Sequence, residues 1–396
     1  MAKILIIANF CDGRVLKGRF TYLANMLSSE GHTVEIVTSD FDHHLKRPKE
    51  EFDNQFPFKI HHIHEPGYPD NISLKRLYSH YVWGMNVGKY LNDSHQDWDI
   101  IYCAVPSLTV TRLAGNYACK HKIKFITDVQ DLWPEAFSIA IKNQMISKLV
   151  FAPFYAYANN AYKKADKVIG VSDTYCDRGL KPCKNNTDGL TVYLGNDGEI
   201  FDKAKEEYKI EKPDEEFWIA YIGTLGYSYD LKCVIDAIAS IKEDQIDKRI
   251  RFVVMGDGPK RKEFEKYVQE KGITATFTGS LLYPEMVGRL CSCDVVANPI
   301  VKGAAQSITN KVGDYALSGL PVINTQECKE YRDLIDEYKC GINCEVGNSQ
   351  QVADAIIQLA NNPELCKDLG ANSRKLADER FDRRHSYKQI IDFIKG

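Results

Sequence analysis

Short apolar segments rich in β-branched residues alternate with segments of helical periodicity along almost the whole chain. The first strand-like segment, "KILIIANF", is followed by a predicted helix in which Phe20, Leu23, Ala24 and Leu27 fall on one face. The next strand-like segment, "HTVEIVTSD", follows at once. Parallel strands can be joined only by crossover connections, which are usually helices. The alternation therefore predicts an α/β fold built on doubly wound parallel sheets.

The alternation occurs in two series, and a charged segment separates them. A chain of 396 residues is longer than one hydrophobic core usually supports. The text between Gly195 and Phe217 is charged and poor in strand formers, which is typical of a linker between domains. We therefore expect two tandem Rossmann-like domains, over 1–200 and 201–378, and a C-terminal helix over 379–396 that packs back on the first domain.

Composition and charge argue against several classes of function. Lys and Arg number 51 against 54 Asp and Glu, so the formal net charge is −3 and no overall field favours nucleic acid. No apolar segment reaches the length of a membrane span, which predicts a cytoplasmic protein or one bound to the inner face of the cytoplasmic membrane. The 12 cysteines form no C-x-x-C pairs and are typical of reduced core thiols. We predict no metal site.

Glycine-containing turns follow several strands of the second series. Ligands of parallel α/β sheets bind beyond the carboxyl ends of the strands, where glycine lets backbone amides approach a phosphate. The turns lie in "YIGTLG", "VVMGDGP" and "VKGAAQS". The residues of these turns that are predicted to approach a ligand phosphate are Gly223, Thr224, Gly226, Gly256, Gly258, Gly303, Ala304 and Gln306. A purely structural turn is the alternative at each of them, because glycine is common wherever a strand turns into a helix.

The segment "ITNKVGDYALSGLPVI" places Lys311 and Asp314 one turn apart at the start of a helix that ends at Gly319. An ammonium group and the amides of a helix start are suited to a diphosphate, and a carboxylate can accept hydrogen bonds from a ribose diol. The alternative is an exposed ion pair at a helix start. We predict that Lys311 binds a diphosphate and that Asp314 binds the ribose of the same ligand.

Polar residues in the first half are candidates for a second part of the site. Asp131 comes just after the strand-like "KFITDV" and is a candidate catalytic residue, with Asp128 and Glu135 behind it. The alternative is that Asp131 caps a helix. Gly18 and Arg19 are predicted to face the same site, where Arg19 would reach a phosphate. The alternative for Arg19 is a solvated side chain on the first helical turn.

One helical segment, "KLVFAPFYAYANNAYKKADK", combines aromatic residues with lysines at both ends. Such a composition suits a patch at a membrane interface. A crossover helix packed on the sheet is the alternative that the pattern favours.

The segments, taken in order, resemble the retaining glycosyltransferases of the GT-B fold, in family 4. "YIGTLG", "VVMGDGP", "FTGSLLYPEMVGRLCSCDVVANPI" and "DYALSGLPVI" are similar to the donor-binding half of that family, and "VYLGNDGEIF" is similar to the end of its first domain. "TDVQDLWPEAF" resembles the D-L-W-P-E segment of bacterial transferases that build O-antigens and capsules. The chain departs from the family where Gln306 and Asp314 replace a Glu-x7-Glu pair, and where Thr224 and Tyr229 replace two phosphate-loop cations.

The resemblance implies a GT-B fold with a cleft between its domains and a retaining transfer without a metal or other cofactor. It implies a UDP-sugar donor, with an N-acetylated amino or deoxyamino sugar as one candidate, and a lipid-linked or glycan acceptor in bacterial surface polysaccharide synthesis. In such a transfer the turn residues named above and Asp314 are predicted to be donor-binding, and Lys311 to be both catalytic and donor-binding. Asp131 is then the predicted catalytic residue that contacts the acceptor hydroxyl or the reacting sugar. Peripheral contact with a membrane is expected. Nucleic acid is not an expected partner. A GT-B epimerase or hydrolase of nucleotide sugars is one alternative. A non-catalytic nucleotide-sugar-binding scaffold is the other, and the missing loop cations favour it.

Overall fold

The structure is a computed structural model of the chain. It describes residues 1–11, 18–50, 55–70, 73–94, 97–135, 144–304 and 308–396, with the backbone alone over 144–148. These residues form two compact units: unit 1 is Met1–Tyr193 with Gln389–Gly396, and unit 2 is Leu194–Lys388. The boundary comes slightly before the expected one at residue 200. Of the expected C-terminal segment, only Gln389–Gly396 belongs to unit 1.

Unit 1 is built on parallel strands joined by helices. Its strands are β1 (Lys3–Ile7), β2 (Thr33–Ser39), β3 (Phe41–Asp42), β4 (Arg47–Pro48), β5 (Lys59–Ile63), β6 (Ile100–Val105), β7 (Lys124–Val129), β8 (Lys167–Gly170) and β9 (Asp188–Thr191). Its helices are α1 (Arg19–Ser29), α2 (Leu74–Asp93), α3 (Leu108–His121), α4 (Gln144–Tyr162) and α5 (Asp173–Leu180). Seven strands form one parallel sheet in the order β5-β2-β1-β6-β7-β8-β9, and β3 pairs with β4 in an antiparallel pair.

Unit 2 repeats the architecture. Its strands are β10 (Glu216–Ile222), β11 (Arg249–Met255), β12 (Ala275–Gly279), β13 (Val295–Asn298), β14 (Val322–Asn324) and β15 (Gly341–Asn343). The helices from residue 198 onward are α6 (Gly198–Glu207), α7 (Leu231–Ser240), α8 (Arg261–Lys271), α9 (Tyr283–Cys291), α10 (Lys311–Ser318), α11 (Lys329–Tyr338), α12 (Ser349–Ala360), α13 (Pro363–Leu376) and α14 (Arg383–Lys395), with a π-helical turn at Ala377–Phe381. The six strands form a parallel sheet in the order β12-β11-β10-β13-β14-β15.

The hydrophobic cores follow from the apolar strands and the inner faces of the helices. Strand β10, "EFWIAYI", is buried at every residue because helices cover both faces of a central parallel strand. In unit 1 the predicted helix face of Phe20, Leu23, Ala24 and Leu27 is buried, as expected. The two parallel-sheet α/β units confirm the predicted fold class.

The charged segment between Gly195 and Phe217 is not simply a linker, because α6 lies within it. The Asp197 carboxylate accepts hydrogen bonds from the amides of Glu199 (3.0 Å) and Ile200 (3.1 Å) and so caps the helix start. Phe201 and Ala204 are buried on its inner face. Part of the charge of the segment lies on the exposed face of this amphipathic helix and the rest lies on either side of it, so composition alone did not reveal the helix.

Candidate functional site

Two glycine turns of unit 2 lie side by side at the carboxyl ends of β10 and β11. The amide of Gly223 donates to the carbonyl of Met255 (3.0 Å), and the amide of Leu225 donates to the carbonyl of Asp257 (2.9 Å). These bonds continue the parallel pairing of the two strands beyond the sheet itself. The turns therefore form one rigid edge at the end of the sheet where ligands of this architecture bind.

Two of the glycines are required by this close approach. Gly256 has φ +147°, and a Cβ built on it would lie 1.9 Å from the carbonyl oxygen of Gly223. A Cβ on Gly258 would lie 2.5 Å from the carbonyl oxygen of Leu225. The packing of the turns is sufficient to explain both glycines, so the structural alternative for them is correct whether or not a ligand also binds there.

We predict that Gly256→Ala lowers the free energy of unfolding by about 3 kcal/mol or more, because the new methyl group meets backbone that cannot move aside. Gly226→Ala is the matched control in the neighbouring turn. A Cβ at Gly226 would meet only a Thr224 methyl group, at 3.6 Å. Urea unfolding of both variants measures the difference, and equal stability of the two would contradict the account of the turns.

Five of the predicted donor-binding residues line a single cavity of about 360 Å³ within unit 2: Gly223, Thr224, Gly256, Lys311 and Asp314. The remaining residues that line it are Ile222, Met255, Asp257, Ser280, Leu281 and Met286. The fold thus brings predicted residues from three separate segments of the sequence to one place.

Four other predicted donor-binding residues do not line this cavity: Gly226, Gly258, Gly303 and Ala304. The amide of Gly303 donates to the Glu327 carboxylate (3.1 Å), and the amide of Ala304 donates to the carbonyl of Val301 (3.1 Å). Gln306 lies outside the described residues.

Lys311 is the most unusual residue of the cavity. Its side chain is buried, and Nζ lies 4.2 Å from the ring centre of Tyr229, 4.4 Å from that of Tyr221 and 5.8 Å from that of Tyr315. Nζ makes no hydrogen bond to any described residue. Burial lowers the pKa of Lys311 to about 7. The aromatic faces compensate an ammonium charge only in part, so the cavity contains a cation that an incoming anion would stabilise.

Asp314 is held by two side chains that the sequence analysis did not identify. Its Oδ1 accepts hydrogen bonds from Nδ2 of Asn196 (2.7 Å) and from the hydroxyl of Tyr283 (2.9 Å). Burial raises the pKa of Asp314 to about 7. Both residues stand in segments that carried the family resemblance, Tyr283 in "FTGSLLYPEMVGRLCSCDVVANPI" and Asn196 in "VYLGNDGEIF", but nothing local in either segment indicates contact with Asp314.

The exposed ion pair that was the alternative for Lys311 and Asp314 is not formed. The two charged groups make no salt bridge with each other, although both are described, and Lys311 is buried. The amides of Val312 and Gly313 donate to the carbonyls of Thr309 and Asn310 (3.1 and 3.3 Å). These two amides are therefore already bonded within the chain. The start of α10 contributes the charge of Lys311 to the cavity.

In unit 1, Arg19 and Asp128 form a buried ion pair. Nε of Arg19 lies 2.7 Å from Oδ2 of Asp128, which also accepts a hydrogen bond from the Tyr102 hydroxyl (2.7 Å). Nη1 of Arg19 donates to the carbonyls of Val192 and Tyr193 (3.1 and 3.3 Å). This corrects the expectation that Arg19 and Asp128 face a substrate, and also the alternative of a solvated Arg19. Each charge is stabilised by the other, and the pair joins α1 to the sheet.

The other candidates of unit 1 have local partners. Asp131 accepts hydrogen bonds from the amide of Leu132 (2.9 Å) and from Nε1 of Trp133 (3.1 Å). Glu135 forms an ion pair with Arg178. Gly18 precedes α1 and provides no side-chain cap. The rest of the segment "LWPEAF", after Glu135, lies outside the described residues. The role of Asp131 in contacting an acceptor therefore stays a prediction.

An aromatic and imidazole cluster, which the sequence did not predict, lies beyond the carboxyl ends of β1 and β7. The His80 ring lies 5.0 Å from Trp133 and 5.5 Å from Phe10, and the guanidinium of Arg76 lies 5.0 Å from the centre of the Trp133 ring. His80 and Asn9 are buried, and neither side chain has a hydrogen-bond partner among the described residues. Burial lowers the pKa of His80 to about 3. These neutral polar groups are suited to contact an uncharged part of a ligand.

Two features are absent from the described residues. No group of three or more His, Cys, Asp or Glu side chains in this part of the chain is arranged to hold a metal ion. No described helix combines the length and the apolar character needed to cross a membrane.

Two sequence families match the chain, one in each half. The family described as Glycosyl transferases group 1 matches residues 202–376, which lie within unit 2. The family described as Glycosyltransferase Family 4 matches residues 19–183, which lie within unit 1. Together the two matches account for most of both sheets.

Individual proteins are similar over much of the chain. EpsD of Bacillus subtilis (strain 168), named as a glycosyltransferase, is 24% identical over 311 residues, covering 76% of this chain and 77% of EpsD. N-acetyl-alpha-D-glucosaminyl L-malate synthase of Bacillus anthracis is 26% identical over 231 residues, covering 55% of this chain and 56% of that protein. The crystal structure of Anabaena Alr3699/HepE in complex with UDP has a TM-score of 0.67 at 14% identity, with full coverage of both chains, and HepE has also been solved with UDP-glucose. The structural likeness shows a shared fold.

Proposed function

The chain belongs to the family 4 glycosyltransferases of the GT-B fold, and from this premise we propose that the unit 2 cavity binds the nucleoside diphosphate of a UDP-sugar. The observation that carries the proposal is Lys311, a buried ammonium group with no hydrogen-bond partner in the described structure. A diphosphate would supply the counter-charge that the protein does not. HepE, which shares the fold, binds UDP and UDP-glucose.

The residues around the cavity have two roles in the proposed reaction: some bind the ligand, and others hold those residues in position. Lys311 stabilises the negative charge that builds on the leaving diphosphate as the glycosidic bond to it breaks. Tyr221 and Tyr229 restrict the lysine side chain to the cavity. Asp314, oriented by Asn196 and Tyr283, accepts hydrogen bonds from the ribose hydroxyls. Since Lys311 provides the cation, we propose that the transfer needs no metal ion.

The acceptor half of the proposal rests on unit 1. Asp131 is proposed to contact the acceptor hydroxyl, and the acceptor to be a lipid-linked or glycan intermediate of bacterial surface polysaccharide synthesis, in keeping with the "DLWPEAF" segment. An N-acetylated amino or deoxyamino sugar is the proposed donor sugar. A relative in Bacillus anthracis bears the name N-acetyl-alpha-D-glucosaminyl L-malate synthase, which supports this choice. Transfer with retention of configuration follows the family resemblance.

Helix α4 supports contact with a membrane. Ala158, Ala161 and Tyr162 pack its C-terminal part into the core, as expected of a crossover helix. Towards its other end, Leu149 is 79% exposed and Phe154 50% exposed. Apolar side chains exposed in this way suit the interface of a bilayer that carries a lipid-linked acceptor.

Incubation of the protein with UDP-sugars, with and without a polyprenyl-diphosphate-sugar acceptor, tests the proposed function. Release of UDP that depends on the acceptor and yields a lengthened lipid product is expected. Conversion of the UDP-sugar without acceptor would identify an epimerase or hydrolase instead. Tight binding of UDP-sugars without any turnover would identify a scaffold.

We also predict that UDP-sugar binding is coupled to protonation, with a sign that changes near pH 7. At pH 8 most Lys311 is neutral, because its pKa is about 7, so a bound diphosphate should draw a proton onto it. At pH 6 most Asp314 is protonated, because its pKa is also about 7, so hydrogen bonds from the ribose should release a proton. Calorimetric titrations in buffers of different ionisation enthalpy measure both, and binding without proton exchange at either pH would contradict the assigned contacts.

A further inference from the structure

Unit 1 contains a second cavity, of about 720 Å³, that the proposed transfer does not use. Five lysines line it: Lys122, Lys124, Lys163, Lys164 and Lys184. The one acidic residue that lines it is Asp166. A concentration of like charge around one volume costs electrostatic free energy unless a counter-charge enters.

The cavity lies at the opposite end of the sheet from the acceptor candidates. Lys124 is the first residue of β7, Asp166 directly precedes β8, and Thr187 directly precedes β9. Asp131 follows the other end of β7. Since β7 has 6 residues, about 20 Å separates the two edges. The cavity is therefore a separate site on unit 1.

Some of the charged groups around the cavity already have partners. Nζ of Lys124 donates to the carbonyl of Ile394 (2.9 Å), Lys164 donates to the side-chain oxygen of Asn116, and the Asp166 carboxylate accepts from the amide of Phe125 (2.8 Å).

Three of the lysines have no such partner. The ammonium groups of Lys122, Lys163 and Lys184 make no hydrogen bond or ion pair with any residue that the structure describes. The available charge is therefore concentrated in these three side chains.

The negative charge at the helix ends next to the cavity does not balance the positive charge of the lysines. Helices α3 and α4 end at His121 and Tyr162, next to the lining residues Lys122 and Lys163. A helix C-terminus carries about half a negative charge, so two ends and Asp166 together provide about two. Five lysines exceed this by about three positive charges.

We propose that this cavity binds a phosphate group of two or more negative charges. Lysine ammonium groups bind phosphate as compact point charges with several donors each. The volume exceeds that of a single phosphate and falls in the range of ordinary ligand sites. The phosphate belongs either to a soluble diphosphate or to the headgroups of an anionic lipid surface, and the two sources share this chemistry.

Cys119 provides a local probe of the site. It lines the cavity and is exposed, whereas the other described cysteines are buried or partly buried. A bound phosphate shields the thiol from the reagent, so alkylation should slow. We expect inorganic pyrophosphate, or vesicles of phosphatidylglycerol, to slow alkylation of Cys119 in a saturable way. Sodium chloride of equal ionic strength and vesicles of phosphatidylcholine are the controls.

Two double variants of matched charge test whether the cavity is responsible. Lys163→Glu with Lys184→Glu should raise the concentration needed for half protection of Cys119 about tenfold or more, because each removes a charge-assisted hydrogen bond. Lys59→Glu with Lys203→Glu, both exposed and without ion pairs in the described structure, should leave it unchanged. Thermal unfolding verifies that all variants are folded.

Each outcome decides the proposal. Protection by pyrophosphate assigns a soluble diphosphate, and protection by phosphatidylglycerol vesicles alone assigns a lipid headgroup. Protection that sodium chloride matches, or that the Lys163→Glu/Lys184→Glu variant retains in full, overturns the site. The readout is independent of the proposed function, because Lys311→Met removes the cation of the unit 2 cavity and should leave protection of Cys119 unchanged.

Discussion

Replacing Lys311 with methionine should lower sugar transfer about 10²- to 10³-fold, the usual cost of removing one group that stabilises charge in a transition state. Methionine retains most of the buried volume among Tyr221, Tyr229 and Tyr315, whereas alanine would leave a cavity there. The measurement is the rate of acceptor-dependent UDP release. Lys262→Met, at an exposed position of α8 without an ion pair in the described structure, is the control and should remain active.

The same variant should be at least as stable as the wild type at pH 7, which separates a functional lysine from a structural one. Burial lowers the pKa of Lys311 from 10.5 to about 7, so between these pH values the unfolded chain binds more protons than the folded one. Wild-type stability should therefore rise as the pH increases from 7 towards 10.5. The advantage of Lys311→Met, on the order of a few kcal/mol at pH 7, should shrink over the same range.

Urea unfolding of the wild type and Lys311→Met at pH 7 and pH 9.5 measures this advantage. A variant that is less stable than the wild type at pH 7, or one that transfers sugar at the wild-type rate, would show that Lys311 belongs to the core and not to the reaction.

Asp314→Ala should weaken UDP binding about 10- to 100-fold, because a carboxylate that accepts hydrogen bonds from a ribose contributes the free energy of charge-assisted bonds. The substitution also leaves the Asn196 amide and the Tyr283 hydroxyl without their acceptor. Asp314→Asn retains an acceptor oxygen and removes the charge, so its affinity should lie between those of the wild type and Asp314→Ala. Calorimetry with UDP provides the dissociation constants.

The matched control for Asp314 is Asp368→Ala, since Asp368 lies exposed on α13 and makes no ion pair in the described structure. Its UDP affinity should equal that of the wild type. An Asp314→Ala variant that binds UDP as tightly as Asp368→Ala would place the ribose elsewhere and would leave Asp314 as a buried acid that orients Asn196 and Tyr283.

The fold could be predicted from the sequence wherever apolar periodicity was strong. Strand β10 contains the apolar run 217–222 and β11 the apolar run 252–255, and the alternation of such runs with helices predicts a parallel sheet. Helix α6 was missed because its charged exposed face and the charged residues on either side of it dominated the composition. Strand β15, Gly341–Asn343, was missed because Ile342 is its one strongly apolar residue, so no apolar run indicates a strand.

The sequence predicted five of the residues that line the unit 2 cavity and did not predict the environment around them. Family-like segments identified Lys311 and Asp314, but three tyrosines surround Lys311, and Tyr221 and Tyr229 come from segments far from it in sequence. The burial that shifts both pKa values is a tertiary effect. In unit 1, Arg19 and Asp128 are 109 residues apart, and no local pattern predicts that they pair with each other.

The most direct test of the central claim is a calorimetric titration of UDP into the wild type and into Lys311→Met, each with EDTA present. We expect the wild type to bind UDP under these conditions and the variant to bind it at least about tenfold more weakly. A wild type that does not bind UDP, or a variant that binds it with unchanged affinity, would contradict the assignment of the unit 2 cavity as the diphosphate site.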